Sequence, residues 1–324
     1  MVFACAAACA GRPVAPTARP PAPTPPDPHG ELLALLPPGA AAFGRFDLAA
    51  ARRSPHFEGA LALAASLGSD LGTVQRELGF DALHVSDALV VAVYLPPGTG
   101  ASAGWPVLVA RGGLTREGVL AAVSAARHVA VQESTESGVR EAVIGERVFL
   151  FPAPDVVVVA DRSLRRRVAE RLAGIEAHTV SDDRRFAGLW ELAGGARGAL
   201  RGAADLAAIR GRVRGVPQPA VPQADALDVA VAWADVADDV AVHAAGRARS
   251  PQAAQEIVRV VDASAREFAG QLAVRLLGLG RLLREGIHAA ADGDHVTLSI
   301  DANAAEAGRL LRISSALREL GGGQ

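Results

Sequence analysis

The chain has 324 residues, half of them apolar, with a net charge of −2 and a pI near 6.5. That is enough material for two globular domains, and it lacks the basic excess of a dedicated nucleic-acid binder. All 33 basic residues are arginine. The absence of lysine argues against a Walker A phosphate loop, a protein kinase, a pyridoxal enzyme and a Ser–Lys hydrolase.

Cysteine occurs only as Cys5 and Cys9, so the body after them holds no disulfide, zinc–thiolate site or cysteine nucleophile. Residues 1–10 read MVFACAAACA, and the run from Gly11 to Pro28 is rich in proline. Such a run stiffens into extended polyproline II and acts as a semi-rigid spacer. Small residues ahead of a cysteine, followed by a spacer of this kind, resemble the start of a bacterial lipoprotein. The resemblance implies that Cys9, after Ala6-Ala7-Ala8, carries the lipid, with Cys5, after Val2-Phe3-Ala4, as the alternative. It also implies a membrane as partner. The family prefers leucine three places before the cysteine, where this chain has Ala6, and no basic or full apolar leader precedes it. An upstream start would supply that leader; without one, the segment reads as a tail with two incidental cysteines. The longest apolar stretch, Phe268–Leu283, is broken by Arg275 and Arg281, so no transmembrane helix is expected.

In the body, Leu32–Leu36 reads as a short helix stopped by Pro37-Pro38, and Ala41–Phe46 as a strand. Ser54-Pro55 predicts a helix to about Leu67, with serine as N-cap and proline at the first helical position. Gly79 to Asp87 is a turn-rich lead into Ala88–Leu95, whose continuous apolar character predicts a strand buried on both faces. Trp105–Arg111 is its return strand. Thr115 caps a helix over Arg116–Arg127, and Val139–Ile144 with Arg147–Phe151 form a hairpin. Val156–Ala160 is a central strand; Asp161 or Ser163 then caps Leu164–Leu172, and Asp182 to Leu192 is amphipathic.

The order then recurs. Asp47-Leu48-Ala49-Ala50-Ala51-Arg52 returns as Asp205-Leu206-Ala207-Ala208-Ile209-Arg210, an offset of 158 residues (205 − 47). After it come strands Leu227–Asp235 and Val240–Ala248, a long helix from Ser250-Pro251, a hairpin of Gly286–Ala291 and His295–Ile300, and a helix from Asp301 to about Leu320. The expected fold class is therefore α+β: two related units, each an antiparallel sheet with helices on one face. The boundaries are 1–28 for the lipoprotein-like start and tether, 29–195 for the first unit and 196–324 for a second, shorter unit. The layout resembles uncharacterised predicted lipoproteins of high-GC bacteria. The shared features are the proline-rich leader, Leu36-Pro37-Pro38-Gly39-Ala40, the Asp-Leu strand exit and Gly79-Phe80-Asp81. That group carries no activity to transfer.

Candidate chemistry is sparse. Asp235, Asp238 and Asp239 with His243 offer oxygens for a cation, but Asp238-Asp239 also reads as a hairpin turn. Asp292-Gly293-Asp294-His295 lacks the further ligands of a calcium loop and reads as a tight turn. Arg162, Arg165, Arg166, Arg167 and Arg171 could bind anionic lipid or phosphate; as structure they form the solvated face of a helix packed through Leu164, Val168 and Leu172. Phe268, Leu272, Leu276, Leu279, Leu283 and Ile287 make one apolar stripe, either core or the wall of a lipid-holding groove. No catalytic, cofactor-binding or metal residue is assigned. The expected function is a non-enzymatic envelope lipoprotein that binds or scaffolds, periplasmic or outer-membrane-associated. The alternative is an acyl-chain carrier, and less favoured is a hydrolase built on the Asp235–His243 region. A protein or lipid partner is expected and nucleic acid is not.

Overall fold

The computed structural model describes residues 30–59, 80–98, 104–127, 131–136, 138–193, 198–210, 212, 225–237, 239–271, 277–310 and 312. Cys9, Cys5 and the tether lie outside these, as do most of the helix expected to reach Leu67, Asp238, Leu272, Leu276 and the end of the last helix.

The fold is mixed α+β and is dominated by one antiparallel sheet, of twelve strands among the described residues. They are β1 (Ala42–Asp47), β2 (Ser86–Tyr94), β3 (Trp105–Gly112), β4 (Gln132–Glu136), β5 (Val139–Ile144), β6 (Arg147–Ala153), β7 (Val156–Asp161), β8 (Leu200–Asp205), β9 (Leu227–Val236), β10 (Val240–Ala248), β11 (Ile287–Asp292) and β12 (His295–Ala302). Their order is β11-β12-β10-β9-β8-β1-β2-β3-β7-β6-β5-β4. The helices are α1 (Gly30–Leu33), α2 (Leu48–Ala51), α3 (Ala82–Val85), α4 (Arg116–Arg127), α5 (Arg165–Leu172), α6 (Arg184–Leu192), α7 (Leu206–Ile209), α8 (Pro251–Gly270) and α9 (Gly280–Glu285).

Two expectations are corrected. The halves do not have separate sheets, because β1 pairs with β8 and joins them into one. Nor are helices confined to one face in the first half. Val119, Leu120 and Val123 of α4 pack with Phe149, Val157 and Val159 on one side. Val168 and Ala169 of α5, with Phe186 and Leu189 of α6, pack with Val90, Val109 and Val158 on the other. Strands covered twice have no solvent side, which is why β2 and β7 read as continuous apolar runs.

At the join, Gly44 sits opposite Gly202. Their separation (202 − 44 = 158) equals the offset of the repeated hexapeptide. A Cβ at Gly202 would lie 3.1 Å from the Phe43 carbonyl oxygen, so the strands meet where no side chain intervenes. Outward from this pair the strands run β1-β2-β3-β7-β6 on one side and β8-β9-β10-β12-β11 on the other.

The hexapeptide does the same local work twice. Asp47 accepts a hydrogen bond from Ala50 N at 2.7 Å and Asp205 from Ala208 N at 2.8 Å, each capping a four-residue helix. Arg52 donates from Nη1 to the Ser86 carbonyl at 2.7 Å, and Arg210 from Nη2 to the Leu227 carbonyl at 2.6 Å. Each arginine thus holds the first residue of the next strand, β2 or β9.

Other boundaries follow their caps. Ser250 Oγ accepts from Ala253 N at 3.1 Å, with Pro251 opening α8. Ser54 Oγ donates to the Ala237 carbonyl at 2.9 Å and accepts from His56 N at 3.1 Å, and among the described residues after it 57–59 are helical. The final helix begins at residue 304, one strand extension later than Asp301 suggested, with Asn303 and Glu306 forming a reciprocal cap.

Candidate functional site

The densest polar arrangement lies at the centre of the sheet, under α6. Thr179 and Asp182 form a capping box that turns the chain, and Asp183 then caps α6 through Arg185 N at 3.0 Å. Arg185 Nε donates to Asp183 Oδ1 at 3.0 Å and its Nη2 to the Ala40 carbonyl at 3.1 Å, while Nη1 reaches Asp205. One guanidinium therefore ties α6 to the entry of β1 and the exit of β8. The Arg185 hydrogen bonds hold the Asp183 carboxyl below its usual range, against a smaller opposing effect of burial. A depressed folded pKa stabilises the native state above the unfolded value of about 3.9 and loses that contribution as pH falls through the folded value. Thermal melts should therefore show an acid loss below about pH 4, and Arg185→Gln should reduce that loss.

Beneath this network Arg45 and Arg201 stand opposite each other across the join. Burial, then the neighbouring Arg201, pushes Arg45 down to about 10, and burial also lowers Arg201. In register with them runs a row Leu150, Val158, Val109, Val90, Arg45, Arg201, Trp233, His243, Ser299, His288. It is apolar from Leu150 to Val90 and polar from Arg45 onward, and α6 lies over Arg201. Trp233 is tied to that helix: its Nε1 donates to the Ala193 carbonyl after α6 at 2.7 Å, and its ring stacks on His243 at 4.3 Å.

The residues singled out from sequence do not converge. Asp239 accepts from Ala304 N at 2.8 Å and so caps the final helix, while Asp235 lies in β9. Among the described residues no cluster of three or more histidine, cysteine or acidic side chains suits a metal ion. Asp292 to His295 is a hairpin turn with Gly293 at φ 57°, and Asp294 pairs with His295 at 3.0 Å.

The arginine run is only partly a solvated face. Arg166 is exposed and pairs with Glu170 at 2.7 Å. Arg165 grips the buried Glu141, Arg167 donates to the Pro38 carbonyl at 2.8 Å, and Arg171 donates to the Ala34 carbonyl at 2.6 Å. Those three clamp α5 to its surroundings. The Tyr94 hydroxyl donates to the Pro37 carbonyl at 2.6 Å, so the Leu-Pro-Pro-Gly segment is held through its carbonyls. The 268–287 stripe is not one helix: α8 ends at Gly270, α9 spans Gly280–Glu285, and Ile287 opens β11.

Three solved structures resemble the fold at low similarity. They are crystal forms I, III and IV of a protein named TP0453, at 14%, 14% and 15% identity and TM-scores of 0.42, 0.43 and 0.44. The alignments cover 87–88% of this chain and 95–97% of the other. No protein-family model and no curated protein matches the chain. No helix among the described residues is long and apolar enough to cross a membrane.

Sequence reasoning did not single out Arg45, Arg201 or Arg185. The available signal was a single arginine in each short segment before the repeated aspartate, Gly44-Arg45-Phe46 and Arg201-Gly202-Ala203.

Proposed function

We propose that the protein is a non-enzymatic component of the bacterial envelope, anchored by lipid on Cys9, with Cys5 as the alternative, whose body binds or scaffolds partners. The observation that carries the body's role is the row Trp233, His243, Ser299 and His288 on a broad sheet, half-buried at its first three positions and exposed at His288. A wide, hydrogen-bonded platform presents such a surface with little conformational cost on binding. The anchor is supported by Ala6-Ala7-Ala8-Cys9 and the proline-rich spacer after it.

The two-unit organisation belongs to the same proposal. It is supported by the equality of the 158-residue offset with the Gly44–Gly202 separation, and by the matching roles of Asp47 with Asp205 and Arg52 with Arg210. The acyl-carrier alternative loses support from the stripe. Leu279 and Leu282 are buried with Ala302, Val240 and Ile300. Among the described residues, the nearby cavity of about 400 Å³ is lined by Arg281, Arg284, Ala269 and three glycines.

Metabolic labelling with palmitate in a lipoprotein-processing bacterium tests the anchor. Label should appear in the wild type and in Cys5→Ser. It should vanish in Cys9→Ser, which should move from the membrane to the soluble fraction. Loss in Cys5→Ser alone would move the attachment, and an unlabelled wild type would remove it.

A further inference from the structure

The two ends of the sheet are finished differently. In the first half β6 is followed outward by β5 and then β4. In the second half β11 takes the place of β6: counted outward from the Gly44–Gly202 pair, Phe149 and Ala289 hold matching positions. Opposite Phe149 stands Ala142 of β5, fully buried. Among the described residues no strand stands outside Ala289.

The phase of the last ladder shows what this edge offers. Asp301 N donates to the Gly286 carbonyl at 2.7 Å, so Gly286, and by alternation His288 and Ala290, bond toward β12. Ile287, Ala289 and Ala291 therefore turn their N–H and carbonyl groups outward. Natural edges are guarded against a further strand by charges, proline or bulges. At the far end of the sheet β4 presents Glu133, half exposed even while paired with Arg116. From Ile287 to Ala291 there is no carboxylate, arginine or proline, and the register with β12 is unbroken.

A second copy of the chain fits this edge by two-fold symmetry. With the dyad at Ala289, that residue meets itself, Ile287 meets Ala291 of the second copy, and His288 meets Ala290 of the second copy. Asp292 falls opposite glycine, so no like charges face each other across the new ladder. Helix α8 lies across β11, with Ala254, Ile257 and Ala269 buried but Val258, Val260 and Val261 only half-buried. Paired strands lie about 4.8 Å apart and packed helices about 8–10 Å, so the two α8 helices come alongside and give those valines cover. A ladder with a helix pair over it reaches toward the roughly 1,000 Å² of a stable interface. Pairing of β11 with β4 of another copy would set Glu133 in the contact and would not close.

We propose that two copies join through β11 as a symmetric dimer, which continues the antiparallel sheet from one copy into the next. The inference rests on the scaffolding half of the proposed function and is independent of the lipid anchor. A monomer would leave the palmitate result and the Trp233–His288 row untouched, and an unlabelled chain would leave the dimer untouched.

The test uses the full-length chain with Cys5→Ser and Cys9→Ser, so that neither acylation nor a native thiol contributes. Sedimentation equilibrium should give the mass of two chains, falling toward one on dilution. Ala289→Pro removes an N–H that β12 does not use, a change that edge strands tolerate, so the circular dichroism should hold. Dimerisation should weaken at least about tenfold, because the central pair loses its donors in both copies. In the same background Ala289→Cys should oxidise to a covalent dimer, since hydrogen-bonded partners have Cα atoms about 5.5 Å apart, within disulfide reach. Ala291→Cys should not, because the dyad separates the two copies of that residue by about 14 Å. This cysteine pair keeps the test open if Ala289→Pro fails to fold. A single-chain mass at every concentration overturns the proposal. So does a mass that grows beyond two chains, an Ala289→Pro chain that dimerises like its parent, or equal cross-linking at Ala291→Cys.

Discussion

Replacing Arg165 by methionine is expected to destabilise the protein by about 3–5 kcal/mol, measured as a shift in the urea unfolding midpoint. Glu141 is 1% exposed, and its carboxylate lies inside the first half. Arg165 Nε donates to Glu141 Oε2 at 3.0 Å, a second guanidinium nitrogen reaches Oε1, and Ser134 Oγ donates to Oε1 at 2.5 Å. Taking the Glu141 carboxylate out of water costs several kcal/mol, and the partly exposed Arg165 guanidinium recovers this only while it is present. Methionine preserves the length of the arginine stem but leaves the carboxylate buried with one hydroxyl. The double variant Glu141→Gln/Arg165→Met should recover most of the loss, because no charge then remains to be desolvated. A single variant as stable as the wild type would mean that water reaches Glu141.

Phe149→Ala should cost about 3–5 kcal/mol, within the range for deleting a buried aromatic ring. Phe149 is fully buried in β6, among Val157, Val159 and the helix α4 residues Val119, Leu120 and Val123. The surrounding strands are hydrogen-bonded on both sides, so the site has little freedom to collapse around the void. In the register that crosses the join, the tenth position counted from Phe149 is Ala289 in β11, which is only half-buried. Ala289→Gly should therefore change stability by only about 1 kcal/mol or less, chiefly through backbone entropy. Equal losses at Phe149 and Ala289 would contradict the difference in packing between the halves.

Much of this architecture was legible in the sequence because it is local. The runs at Ala88–Leu95 and Val156–Ala160 marked strands enclosed on both sides, and both are. The Ser–Pro and Asp–Leu signals worked where the cap lies within three residues of its target, as at Ser250 and Asp205. What stayed hidden is non-local. Strand β4, Gln-Glu-Ser-Thr-Glu, has no apolar residue and exists by pairing with β5 at one edge. Strand β8 contains Arg201 and Gly202, and is a strand because β1 and β9 flank it. Nothing in either half's periodicity announces that the two would share one sheet, since pairing register depends on a partner more than 150 residues away.

The candidate site was less legible for the same reason. An arginine run announces a helix, but not that Arg165, Arg167 and Arg171 reach across the fold. A lone arginine in a small-residue segment gives no hint that another stands opposite it. The expectation of separate sheets failed on one fact, the β1–β8 ladder, and that ladder also brings Phe43 and Arg201 beneath the same helix.

The β1–β8 seam also governs how the molecule comes apart. The chain enters its second half between Ala193 and Gly198, yet Ala203, Val229, Val231 and Ala245 share a cluster with Phe43 and Phe186. A nick in that crossing would sever the sequence without releasing a fragment. The halves would melt together, as one cooperative body with two covalent pieces.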